Sequence, residues 1–263
     1  MVENTVSLRT ALITGASSGI GEAFAHLLAS EGYRPVLVAR RRAELERVAT
    51  AISNMQGIDP VILPKDLTGP HAAAELLDEM AEHKLVPDLL INNAGFGLMG
   101  RSDTLGPEAQ MQMINVNVSA LTDLSLRCGK IMRQRGQGGI INVSSVAGML
   151  PGPNMAIYYA TKAYILSFTE ALSFELKPFG VQVTALVPGV TKTAFHRCAG
   201  MENSRLLKYS VPMSAEAVAR IGYKGFQRGK RAVATGLFNK FAAICTRFVP
   251  RSILLAVTAK LHK

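Results

Sequence analysis

The sequence predicts an α/β protein built on one doubly wound parallel sheet of about seven strands, with helices on both faces. Three observations carry that expectation. Short β-branched runs alternate along the chain with longer stretches of helical periodicity. The runs are apolar throughout, as strands covered on both faces are. A glycine-rich segment, Thr14-Gly15-Ala16-Ser17-Ser18-Gly19-Ile20-Gly21, separates the first run from the first helical stretch.

The elements follow in order. Ala11-Leu12-Ile13-Thr14 reads as the first strand, and a helix is expected from Ile20 to Ser30. Pro35-Val36-Leu37-Val38-Ala39 is the second strand, followed by a charged helix through Leu45 and Val48. Val61-Ile62-Leu63, Asp88-Leu89-Leu90-Ile91 and Gly139-Ile140-Ile141-Asn142-Val143 are the third, fourth and fifth. The run from Val181 to Val187 is the sixth, and Arg231-Ala232-Val233-Ala234 is a short seventh. A length of 263 residues suits one such domain spanning 1–263. In sheets of this kind ligands bind beyond the carboxyl ends of the strands, and the motifs below each follow a strand.

The glycines of the first turn allow a tight bend and let a phosphate approach the backbone. The helix start behind them offers free N–H groups and a positive dipole to a pyrophosphate. This points to a bound dinucleotide. About 20 residues further, where an acid often meets the adenosine ribose, the chain has Arg40-Arg41-Arg42. Cations at a helix start oppose the macrodipole unless an anion offsets them. A 2′-phosphate is such an anion, with Arg40 as its planar partner, so NADP(H) is expected over NAD(H). Arg41 and Arg42 also have Glu44 and Glu46 at helical spacing, and pairing with them is assigned to Arg42.

Tyr158-Tyr159-Ala160-Thr161-Lys162 puts a phenol and an ammonium one helical turn apart. A lysine near the hydroxyl would lower the phenol pKa and fit it for proton transfer. With the turn, this pair completes a pattern that resembles the short-chain dehydrogenase/reductase family from about Ala11 to Thr193. The resemblance rests on Thr14-Gly15-x-x-x-Gly19-x-Gly21, Asn92-Asn93-Ala94-Gly95, Asn115-Val116-Asn117-Val118, Asn142-Val143-Ser144-Ser145, the Tyr158/Lys162 pair and Pro188-Gly189. It implies a Rossmann-like fold and a ketone/alcohol oxidoreductase.

The resemblance also implies roles. Tyr158 would be the general acid or base, and Ser145 would hydrogen-bond the substrate oxygen. Lys162 would depress the Tyr158 pKa and hold the nicotinamide ribose, and Asn117 would keep a relay water. Gly15, Ser17, Ser18, Gly19, Ile20 and Gly21 would line the pyrophosphate, and Asp66 and Leu67 would meet the adenine. Asn93, Ala94 and Gly95 would form the cofactor wall, and Pro188, Gly189, Val190 and Thr191 would border the carboxamide. Asn93 also reads as a backbone tie, and Asp66 as a helix cap. Ser144 and Tyr159 read as structural neighbours.

The expected substrate is a hydrophobic carbonyl or secondary alcohol. Phe96, Leu98, Met99, Met149, Leu150 and Met155 fall in the surrounding loops. A lid is expected over 194–213, bearing Phe195, Met201, Leu206, Leu207 and Tyr209. The apolar helix through Ile165, Leu166, Phe168, Leu172, Phe174 and Leu176 suits burial, and the resemblance implies a homodimer or homotetramer through it.

The charge is lopsided. Of 29 Lys and Arg, ten follow residue 216, where no Asp or Glu occurs; the remaining 19 match the 19 acids before them. Basic amphipathic helices are expected over 237–263, with Leu237, Phe238, Phe241, Ile244 and Phe248, then Ile253, Leu254, Val257 and Leu261, on their apolar stripes. Packing on the protein's own domain or on a sister subunit is favoured there, with peripheral membrane contact the lesser alternative. Few aromatic residues and no Trp speak against nucleic acid. No signal peptide or membrane span is read, and the odd, scattered Cys128, Cys198 and Cys245 suit a reducing, cytoplasmic setting without a metal site. The rival reading is a catalytically silent dinucleotide sensor or membrane-surface binder on the same fold.

Overall fold

Each apolar run becomes a strand because it has a core on both sides of its pleat. A computed structural model of the protein describes residues 8–201, 204–236 and 249–262. The strands are β1 (Arg9–Thr14), β2 (Tyr33–Ala39), β3 (Val61–Pro64), β4 (Pro87–Asn92), β5 (Gly138–Val143), β6 (Val181–Val187), β7 (Thr191–Lys192), β8 (Met213–Ser214) and β9 (Ala232–Ala234). The helices are α1 (Gly19–Ser30), α2 (Arg42–Gln56), α3 (Ala72–Glu82), α4 (Pro107–Ile114), α5 (Leu121–Arg135), α6 (Ala156–Leu176), α7 (Phe195–Cys198), α8 (Arg205–Tyr209), α9 (Ala215–Gln227) and α10 (Arg251–Leu261).

Seven strands form one parallel sheet in the order β3-β2-β1-β4-β5-β6-β9. The expected seventh strand is therefore present as an edge, pairing Ala232–Ala234 with Ala185–Val187. Successive side chains alternate between the two faces. Ala11, Ile13, Leu89, Ile91 and Ile141 face α1, α2 and α9, where Phe24, Leu28, Leu45, Ile52, Val218 and Tyr223 pack. Leu12, Val36, Val38, Leu90 and Ile140 face α3, α5 and α6, where Leu76, Met80, Leu124, Met132 and Leu172 pack. Both faces are covered, and the polar side chains buried along these strands, such as Asn92, Asn142 and Thr184, are hydrogen-bonded. Helices on both sides force parallel pairing, since each crossover returns the chain to the same end of the sheet.

The chain winds outward from β1 through β2 to β3, then crosses back to β4. The switch point thus lies between β1 and β4, where the loops after the two strands diverge. A third apolar cluster lies apart from the two sheet faces: Met113, Ala147, Met155, Tyr158, Tyr159, Ala199 and Met201, with Phe96, Leu98, Met99, Leu150, Phe195 and Leu206 against it.

The 194–213 stretch carries α7 and α8. Its ends are clasped by a two-stranded parallel ladder, Thr191 with Met213 and Lys192 with Ser214. The expectations for Leu237, Phe238, Phe241, Ile244, Phe248 and Cys245 lie outside the described residues, as does the side chain of Tyr209. On the α10 stripe Leu254 and Leu261 are half-buried, Ile253 and Val257 are 52% and 51% exposed, and Thr258 and His262 are buried. Thr258 donates to the Leu254 carbonyl of its own helix at 2.7 Å, whereas His262 finds its partners in Tyr159 and Pro153. Among the described residues, no helix is long and apolar enough to cross a membrane.

Phe24 is fully buried between α1 and the sheet. Phe24→Ala is expected to cost about 3–5 kcal/mol of stability in urea denaturation; a loss below about 1 kcal/mol would contradict this account of the core.

Candidate active site

The site begins with two loops that touch. The Thr14 hydroxyl accepts from the Asn93 and Ala94 N–H groups, each at 3.0 Å. The Asn93 amide donates to the carbonyls of Thr14 at 3.1 Å and Gly15 at 3.2 Å. Asn93 is thus the backbone tie, and its amide hydrogens hold the glycine turn. Gly21 is obligatory here: a Cβ would lie 2.2 Å from the Gly15 carbonyl oxygen and 2.6 Å from the Asn93 amide nitrogen. Gly15 and Gly19 both have positive φ, 65° and 59°. Ser18 caps α1 in extended conformation but its side chain makes no capping bond, so no serine oxygen occupies the helix start. Ile20 packs on the core beneath the turn. This cradle fits the pyrophosphate of a dinucleotide.

The three cations Arg40, Arg41 and Arg42 are all exposed. Arg42 pairs with Glu46 at 3.9 Å, as expected. Arg41 reaches back across the turn, its guanidinium 3.4 Å from the Ser17 hydroxyl. Sequence reasoning did not assign this contact; Arg41 stands at the N-cap of α2, outside the helix. After β3, Leu67 is buried, and Asp66 accepts from the Thr68 N–H at 3.0 Å. That bond closes a local turn, since α3 starts only at Ala72.

The catalytic candidates come together at the carboxyl ends of β4 and β5. Asn117 lies in a π-helical turn, Asn115–Ala120, between α4 and α5. Such turns insert a residue into the helix and favour functional positions. The Asn117 amide donates to the Phe96 carbonyl at 3.0 Å and the Thr161 hydroxyl at 3.1 Å, and its oxygen accepts from the Phe96 N–H at 3.1 Å. Both amide hydrogens are therefore committed to the scaffold. The side chain braces the site.

Ser144 holds the catalytic helix by donating to the Lys162 carbonyl at 2.7 Å. Gly148 lets that contact form, for a Cβ would meet the same oxygen at 2.5 Å. Ser145 turns the chain out of β5, accepts from the Ala147 N–H at 3.1 Å and hydrogen-bonds the Tyr158 phenol. Beside them Val146 donates to the Pro188 carbonyl at 3.0 Å, and the Thr191 hydroxyl donates to that of Gly189 at 3.0 Å. The Val190 carbonyl accepts from Met213 across the β7–β8 clasp. Gly95 lies against this group, where a Cβ would stand 2.8 Å from Asn117 Oδ1 and 3.7 Å from Lys162 Nζ.

The Tyr158/Lys162 electrostatics depart from expectation. Burial pushes the phenol up to about 12, and the Ser145 hydrogen bond pulls the other way without overcoming it. Burial pushes Lys162 down to about 8. Lys162 Nζ donates to the Val143 carbonyl at 2.9 Å and lies 5.8 Å from the Tyr158 ring centroid. The ammonium sits beside the ring and is anchored elsewhere, so desolvation outweighs its pull on the hydroxyl. Cys128 is likewise buried, and its thiol is raised to about 12, which makes it inert. Among the described residues no three His, Cys, Asp or Glu form a metal-holding group.

The Lys162 shift has a stability consequence. Between about pH 8 and 10.5 the unfolded chain binds a proton that the folded lysine has released, so stability gained from Lys162 rises with pH. The penalty of the buried ammonium is full below that window. Urea denaturation of wild type and Lys162→Met at pH 7.5 and pH 9.5 should show wild type gaining on the variant by roughly 1–2 kcal/mol. An unchanged difference would contradict the burial argument.

The comparisons with known proteins agree with this geometry. The model of the short chain dehydrogenase family matches residues 9–203. A dehydrogenase/reductase SDR family protein 7-like from Anopheles gambiae is 33% identical over 190 residues, covering 71% of this chain and 60% of that one. A short-chain dehydrogenase from Sphingobium yanoikuyae in complex with NADPH is 32% identical with a TM-score of 0.82, covering 92% of this chain and 94% of that one. A bulky-bulky ketone specific alcohol dehydrogenase from Comamonas testosteroni is 29% identical with a TM-score of 0.77, covering 92% and 93%. A glycine cradle at the switch point, a Ser145–Tyr158 hydrogen bond and a buried lysine one turn on thus belong to a chain with relatives along most of its length: it is a member of the short-chain dehydrogenase/reductase family of oxidoreductases.

Proposed function

We propose that the protein interconverts a bulky hydrophobic ketone and its secondary alcohol with NADP(H). The observation that carries this reading is the convergence of Ser145, Tyr158 and Lys162 beside the glycine cradle, under an apolar roof. The bound dinucleotide supplies or accepts the hydride. The chain's own residues handle the oxygen. Ser145 donates a hydrogen bond to it, stabilising the charge that develops there. Tyr158, held protonated by burial, gives it a proton in reduction and takes one back in oxidation. Lys162 presents its remaining ammonium hydrogens to the nicotinamide ribose, and Thr191 borders the carboxamide.

The 2′-phosphate falls to Arg40 and Arg41, with Arg41 the better placed through its contact with Ser17. The NADPH complex of the Sphingobium relative supports this choice. The substrate wall is Phe96, Leu98, Met99, Leu150, Met155, Phe195 and Leu206, without a fixed charge. The bulky-bulky ketone specificity of the Comamonas relative suits such a wall. Residues 194–213, clasped at both ends by β7 and β8, act as the lid. Leu126, Tyr164 and Phe174, exposed on α5 and α6 at 52%, 40% and 76%, supply the homo-oligomer contact.

Two measurements test the reading. Tyr158→Phe should bind NADPH as wild type does while kcat for a diaryl ketone falls by about 10²–10⁴; retained turnover would refute the proton donor. Arg41→Ala should weaken NADPH about tenfold or more and leave NADH unchanged, with Arg40→Ala giving a smaller shift in the same direction. An unchanged ratio of NADPH to NADH affinity in both variants would refute the phosphate assignment.

A further inference from the structure

His262 is the C-cap of α10, following the exposed Ile253, Leu255 and Val257 of that helix, yet is only 3% exposed. Its Nδ1 is 2.8 Å from the Pro153 carbonyl oxygen and its Nε2 is 2.9 Å from the Tyr159 hydroxyl. The two rings meet edge to face with centroids 5.2 Å apart. A carbonyl only accepts, so Nδ1 carries the hydrogen. Burial pushes the Tyr159 phenol up, so that phenol keeps its proton and donates to Nε2. One neutral tautomer satisfies both bonds.

These partners bracket a functional stretch. Pro153 and Tyr159 flank Met155 and Tyr158 in sequence. The Tyr159 ring packs edge-on to Tyr158 at 6.1 Å, and Gly152 is bare enough that a Cβ there would meet the Tyr159 ring at 2.2 Å. Across the pocket, a Cβ on Gly97 would touch Phe195 at 2.9 Å, Met155 at 3.2 Å and Tyr158 at 3.3 Å, so these side chains close on one another. Asn154, the residue between Pro153 and Met155, is held at φ 65°, and its carbonyl accepts from the Gly100 N–H at 2.8 Å. α10 also packs beside α8, in the 194–213 stretch.

We propose that His262 is a specificity-determining positioning residue, a latch that fixes the Pro153–Tyr159 wall and thereby sets the width of the substrate pocket. It rests on the ketone reading above. With the latch closed, Met155 stands at one width from Phe195, and a bulky ketone that fits this width is favoured over a small one. Without it the wall relaxes, and substrates that need close contact lose most.

The test uses the full chain as wild type, His262→Ala, His262→Gln and Tyr159→Phe, with benzophenone and 2-butanone as probes and NADPH as reductant. Tyr159→Phe keeps the ring and removes only the hydroxyl, so it folds where a larger change would not. For His262→Ala and Tyr159→Phe, kcat/KM for benzophenone should fall about tenfold, mainly through KM, while that for 2-butanone changes less than about twofold. NADPH affinity should be unchanged, and His262→Gln, whose amide offers one donor and one acceptor, should recover part of the loss. The double variant should lose no more than either single one. Hydrogen exchange over residues 150–156 should rise in His262→Ala, a readout that needs no turnover. Unchanged exchange would overturn the latch even if no ketone were reduced by wild type, which would itself sink only the ketone reading. Raised exchange with an unchanged benzophenone to 2-butanone ratio would overturn the specificity role.

Discussion

The buried carboxamide of Asn117 is the contact on which the site depends. It is fully enclosed, and it joins the loop after β4 to α6 through Phe96 and Thr161. Thr161 in turn donates to the Tyr158 carbonyl at 2.7 Å, so the brace reaches the helical turn that carries the phenol. The loop after β4 is itself pinned to the glycine turn by Asn93 and Thr14. A short chain of buried hydrogen bonds therefore runs from the dinucleotide cradle to the proton donor. Removing a buried partner leaves the others unsatisfied, at a cost of about 1–3 kcal/mol for each group. The spacing between the glycine turn and the Tyr158 helix is a property of this scaffold and not of surface loops.

That rigidity has an electrostatic consequence. The enclosure that fixes Tyr158 and Lys162 also strips them of water, and each is driven toward its neutral form. A buried neutral phenol beside a lysine near its midpoint holds two exchangeable protons within one helical turn. Apolar packing by Met155, Phe195 and Tyr159 maintains that state. The same packing forms the apolar wall beside the phenol.

Much of this was legible in the sequence because it is local. Seven apolar runs became seven paired strands, and the three glycines of the first turn sit where a side chain would collide. Tyr158 and Lys162 share a face because helical spacing dictates it. What escaped depends on long separations or weak patterns. Arg41 meets Ser17 across 24 positions, and Tyr159 meets His262 across 103. Strands of two residues, β7 and β8, have no periodicity to detect. The π-helical turn at Asn115–Ala120 has the composition of an ordinary helix. A buried cluster of Asn92, Ser125, Asn142 and Thr169 joins β4, β5, α5 and α6, where the sequence showed only motif letters. The direction of the Tyr158 shift was missed because burial is set by distant elements, whereas the lysine was visible four residues away.

The central claim is that this brace delivers a proton and a hydride to the two ends of one C=O bond. A crystal structure with NADP and a bound ketone analogue tests it most directly. The account predicts the nicotinamide C4 and the Tyr158 hydroxyl on either end of the carbonyl, each within roughly 3–3.5 Å of the atom it serves, with the Asn117–Phe96 hydrogen bonds intact. A nicotinamide ring seated away from Tyr158, or a carbonyl oxygen bonded to neither Ser145 nor Tyr158, would contradict it.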